Sequence, residues 1–147
     1  MPRISVTQAD IDTLAQAADI SHVSTSICNA RFTAGSTGSF EVREFGFDQE
    51  LLPEEVLRRI AAEQEPHPWL GSCVEHFLAY KQAGLWSGEG DLYALGSQRR
   101  MHGGRLHIPF IGTRLFELER RMRFVLDFRI GGHAFGPKDR FLAVYPV

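Results

Sequence analysis

Four segments with the period-two pattern of extended chain crowd into the last third of the sequence: Asp91–Gly96, Arg105–Ile111, Arg123–Ile130 and Arg140–Tyr145. Along the second, Leu106, Ile108 and Phe110 share one side of the strand, while Arg105 and His107 share the other. Along the third, Phe124, Leu126, Phe128 and Ile130 point one way, and Arg123, Asp127 and Arg129 the other. Chain of this kind must pair into a sheet, and a sheet with an apolar face needs a second layer to bury it. The expectation is a mainly antiparallel sheet, one face under helices and the other polar and rich in arginine.

The earlier part supplies the helices. Thr7 is placed to cap a first helix carrying Ile11, Leu14, Ala15 and Ala18 on one face, with Asp10 in its first turn. From His22 to Phe32 and from Ser39 to Phe47 the residues turn β-branched and aromatic around the loop at 33–38, which predicts a hairpin. Pro53 opens a second helix striped by Val56, Leu57, Ile60 and Ala61. Pro66-His67-Pro68 stops it. Ser72 and Glu75 have capping-box spacing for a third helix, from Cys73 to about Ala83, ended by Gly84. Residues 113–122 fit either a short helix or a strand, and Leu115, Leu118 and Met122 favour the helix. The fold class is thus α+β: an N-terminal helix, a β-hairpin, two central helices, then a mainly antiparallel sheet packed on the helices by one face. At 147 residues, a single domain over 1–147 is the natural count.

Composition narrows the function classes. With 44% hydrophobic residues there is material for a packed interior. No apolar run approaches the roughly 18 residues of a membrane span, and Met1–Ala18 lacks the pattern of a secretory leader. Two cysteines, Cys28 and Cys73, are too few for a disulfide scaffold and show no metal-ligand spacing. The cytoplasm is the expected compartment, without metal or cofactor. The formal charge of −2 hides a split at Asp91: 6 Lys+Arg against 14 Asp+Glu up to it (−8), and 10 against 4 beyond it (+6). Charge separated in this way steers association with a partner, provided the two halves do not neutralise each other within one molecule.

Two loops concentrate the chemistry. Gln98–His107 carries Arg99, Arg100, His102, Arg105 and His107 around Gly103-Gly104, and Gly131–Arg140 carries His133, Lys138 and Arg140. Arginine forks and turn amides suit phosphate or carboxylate, and imidazoles can exchange protons near neutrality. In a simple meander both loops would emerge at one edge of the sheet. Cys73 stands in a helix's first turn, three residues before His76; a small buried side chain is the more ordinary role for it. His22 and His67 have no ligand-like sequence neighbours.

The leading expectation is a binding or regulatory protein of the bacterial or phage cytoplasm, of inhibitor, immunity or accessory type. It would recognise a macromolecule, protein first and nucleic acid second, through Arg99, Arg100, His102, Arg105, His107, His133, Lys138 and Arg140. A homo-oligomer is compatible with this, and a membrane partner is not expected. The alternative is a small metal-independent ribonuclease or phosphodiesterase using His102, His107 and His133 as acid and base beside the arginines. A third reading is a small-molecule binder or enzyme whose helices close over a strongly curved sheet lined by Phe45, Phe47, Phe77, Phe110, Phe124 and Phe128; an α+β cone of this length resembles the nuclear-transport-factor-2-like architecture.

Overall fold

The computed structural model describes residues 1–24, 36–100 and 104–147, the side chains of Arg99 and Arg100 excepted. The described elements, in chain order, are β1 (Arg3–Val6), α1 (Ile11–Ala17), β2 (His22–Val23), β3 (Gly38–Phe45), α2 (Pro53–Ala62), β4 (Leu70–Gly71), α3 (Val74–Gln82), β5 (Leu92–Tyr93), β6 (Arg99–Arg100), β7 (Leu106–Phe116), β8 (Arg121–Ile130) and β9 (Arg140–Pro146). A 3₁₀ turn, Leu95–Ser97, follows β5. The molecule is α+β. No helix among the described residues is long and apolar enough to cross a membrane.

All nine strands belong to one mixed sheet, whose main path runs β1-β3-β9-β5-β7-β8-β2; β4 pairs with β9 and β6 with β7. β5 runs parallel to β9, and β2 parallel to β8, so the sheet is not purely antiparallel. It is not a meander either, because β9 returns across the sheet to lie between β3 and β5. The hairpin expected between His22 and Phe47 gives way to other pairings. β3 takes β1 and β9 as neighbours, His22 and Val23 join β8, and residues 25–35 lie outside the described chain.

The chain therefore begins with a strand, not a helix. Ile4 and Val6 are buried while Arg3 and Ser5 face out, and this half-buried alternation binds β1 to β3. Because the chain is still extended at Val6, the cap of α1 falls on Asp10, which accepts the Thr13 amide at 2.8 Å; Thr7 does not serve. α2 forms where Pro53 can open it. α3 is capped at Cys73, one residue later than the Ser72 frame. The Cys73 amide donates to His76 Nδ1 at 2.9 Å, so His76 takes the reciprocal role expected of Glu75.

The largest departure concerns the sheet's second face. Register pairs Ile108 with Arg129 and Phe110 with Asp127, which puts the apolar side of β7 on the same face as the polar side of β8. The alternation within each strand holds, but the two apolar sides face opposite ways, so both faces of the sheet need cover. One core joins α1 and α3 to Ile4, Phe40, Val42, Leu92, Ile111, Leu126 and Leu142. The other joins α2 and the Leu51 and Phe135 segments to Tyr93, Ile108, Phe110, Val125 and Phe141. The six phenylalanines expected to line one cavity are divided: Phe77, Phe124 and Phe128 lie with the first core, and Phe45, Phe47 and Phe110 with the second.

Candidate functional site

β7 and β8 are long because alternation runs through both, from Leu106 to Phe116 and from Arg121 to Ile130, with full register from His107–Ile130 to Phe116–Arg121. The stretch 113–122 is therefore two strand ends and a turn at 117–120, not a helix. Arg120 takes the left-handed conformation (φ 53°) that lets the chain reverse. β5 pairs with β7 only at Phe110 and Ile111. Beyond that point the hairpin runs out as an arm.

Cross-strand pairing puts Leu115 and Met122 together on one side of this arm, and both are exposed, as is Leu118 at the turn. At its base, Phe124 packs edge-on to Trp86 (5.7 Å), and Thr113 Oγ1 donates to the Gly88 carbonyl at 3.0 Å. The apolar stripe is thus an outward continuation of the first core. On the other side, Arg114 grips Asp91 with two hydrogen bonds of 2.9 Å, and Asp91 holds the Arg114 pKa above its ordinary value. That clasp ties the arm to the segment leading into β5. Arg123 is paired with Glu119 within the arm. The period-two pattern at 113–116 and 121–124, on either side of a four-residue turn, is the sequence signal for this arm.

The basic loops occupy two places. Arg99 and Arg100 pair by backbone with His107 and Leu106; their side chains and His102 lie outside the described residues. Arg105 is exposed just before β7, and the Gly131 amide donates to the Leu106 carbonyl at 2.8 Å, so the second loop starts beside the first. His107 donates from Nδ1 to the Arg105 carbonyl (3.1 Å) and packs edge-on to Phe128; His133 is exposed nearby in sequence to Gly131. Lys138 and Arg140 lie elsewhere. Arg140 pairs with Leu92, which in turn pairs with Ile111, four residues along β7 from His107 and so about 13 Å away.

Among the described residues of the second half, most basic side chains form no ion pair. Among the described residues, Arg105, Arg120, Arg121, Lys138 and Arg140 have no ion pair, against Arg114 and Arg123, which do. Arg129 instead donates to the carbonyls of His133 and Ala134 (3.1 and 2.8 Å), with its guanidinium 4.0 Å over Phe135.

Three histidine environments bear on catalysis. His76 Nδ1 is occupied by the Cys73 amide and its ring is buried edge-on against Phe40, so it forms no thiolate–imidazole pair with Cys73. His67, unremarkable in sequence, donates from Nε2 to Glu41 at 2.6 Å, holding that carboxyl below its usual range, and stacks on Tyr145 at 3.7 Å. Its remaining nitrogen is buried, leaving none to offer a substrate. His107 and His133 share no carboxylate among the described residues. In the same residues no group of three metal-ligating side chains gathers. Comparison with protein-family models, with curated proteins and with solved structures returned no match.

Proposed function

We propose that the protein is a small binding or regulatory protein, of inhibitor, immunity or accessory type, that docks on another protein through the β7–β8 arm. The observation that carries this reading is the exposure of Leu115, Leu118 and Met122 on a clasped hairpin, next to Arg120 and Arg121, which have no ion pair among the described residues. Exposed apolar side chains on a pre-organised element are characteristic of recognition surfaces. The unpaired arginines select a partner whose apolar cleft is bordered by carboxylates. Arg105, Lys138 and Arg140 add long-range attraction for the same acidic surface. With only two cysteines in the chain, this function suits a reducing compartment such as the cytoplasm.

The test is capture on the immobilised protein at about 50 mM and about 300 mM salt, across which the screening length shortens more than twofold. It is repeated with Leu118→Asp and with Arg120→Glu/Arg121→Glu. An acidic protein held by the parent at low salt, weakened by salt and lost in both variants, supports the reading. Retention indifferent to salt and to both variants, or retention of RNA alone, overturns it.

A further inference from the structure

A cavity of about 500 Å³ opens between the loop preceding β5, the segment preceding β9 and strand β3. Glu44, Ser87, Glu89, Gly90, Lys138 and Arg140 border it, so two acidic and two basic residues line the same space. None of the four is ion-paired to another, nor to any other described residue. The volume falls within the range of small-molecule sites.

The fold fixes these groups in place. Extending the β3–β9 register by one pair sets Arg140 opposite Gly46, and its guanidinium fills the space there: a Cβ built on Gly46 would lie 1.4 Å from Arg140 Nη1. Glu44 pairs with Leu142, which makes it the diagonal neighbour of Arg140 on the same face. Its carboxylate is oriented by the hydroxyl of Tyr80, which donates from buried α3. Gly90 has φ +67°, and a Cβ there would meet the Lys138 carbonyl at 2.4 Å. That close approach seats the Lys138 segment against the Glu89 loop. Ser87 Oγ accepts the Glu89 amide at 3.2 Å, which leaves its hydroxyl proton free to donate.

A ligand bearing only negative charge would be repelled by Glu44 and Glu89, and one bearing only positive charge by Lys138 and Arg140. We propose that this cavity binds a small zwitterion carrying an ammonium and a carboxylate on one carbon, that is, a free α-amino acid. Glu44 and Glu89 receive the ammonium, Arg140 and Lys138 the carboxylate. The site is separate from the arm tip proposed for partner docking; Lys138 and Arg140 serve docking only at long range, so amino-acid binding and partner capture are read out separately.

Calorimetric titration of the intact protein with each of the twenty free amino acids, up to about 10 mM, tests it. At least one should bind, and its N-acetyl and α-amide derivatives should bind at least about tenfold more weakly, since each loses one charge-assisted contact. Glu44→Gln, which retains an acceptor for Tyr80, and Arg140→Gln should each weaken binding by a similar factor; Arg120→Glu/Arg121→Glu should not. No binding by any of the twenty, or equal binding of the blocked derivatives, overturns the proposal without need of any variant.

Discussion

At the scale of single residues, the buried imidazole of His76 sets a clear expectation for pH. Burial pushes its pKa down to about 4 from an ordinary 6.5, and protonating Nδ1 would also expel the Cys73 amide from it. Between those two values the unfolded chain binds a proton that the folded chain does not. Stability is therefore complete above pH 6.5 and falls as the pH drops toward 4, by up to about 3 kcal/mol. His76→Gln keeps an acceptor for the amide and has nothing to titrate. Urea midpoints at pH 7 and pH 4.5 should separate widely for the parent and narrowly for the variant; equal separations would refute the assignment. The sequence marked this helix start but framed it one residue early, because Ser72 and Glu75 fit the familiar cap spacing and a cysteine cap has no comparable signature.

At the scale of elements, legibility followed the number of independent signals. α2 could be read because Pro53, two first-turn glutamates and an apolar stripe agree. Residues 113–122 could not, because Leu115, Leu118 and Met122 fit helical spacing as well as strand, and only pairing with a partner strand decides between them. For the arm so formed, the Asp91–Arg114 clasp is the main tie outside its own hairpin on the polar side. Both partners are partly exposed, so Asp91→Asn should lower global stability by less than about 1 kcal/mol. It should nonetheless speed amide exchange at 113–123 several-fold while exchange in β3 and β9 is unchanged, because local opening of the arm is governed by its own few contacts. Unaltered exchange in the arm would show that the hairpin holds itself in place without the clasp.

At the scale of the whole molecule, what the sequence could not convey was register. Alternation showed that β7 and β8 each have an apolar side, but which side meets which depends on a one-residue choice in pairing. That choice turned an expected two-layer arrangement into a sheet with a core on each face, and it divided the aromatic residues between them. The charge split, by contrast, was plain in composition, and the described candidate basic residues fall into two groups, Arg105, His107 and His133 in one and Lys138 and Arg140 in the other. A sheet shared by two cores makes the cores thermodynamically inseparable if strands such as β5 and β7 contribute alternate residues to both: Leu92 and Ile111 to one, Tyr93 and Phe110 to the other. The two tryptophans report on them separately. Trp69 is buried in the second core, and Trp86 packs against the first. Trp86→Phe leaves a fluorescence signal from Trp69 alone, and Trp69→Phe from Trp86 alone. In each variant the urea midpoint by fluorescence should coincide with that by far-ultraviolet circular dichroism, as a single cooperative transition requires. If the Trp86 signal is lost at lower urea than the circular dichroism of the same protein, the helical layer of α1 and α3 detaches before the sheet unfolds, and the shared strands do not couple the two faces.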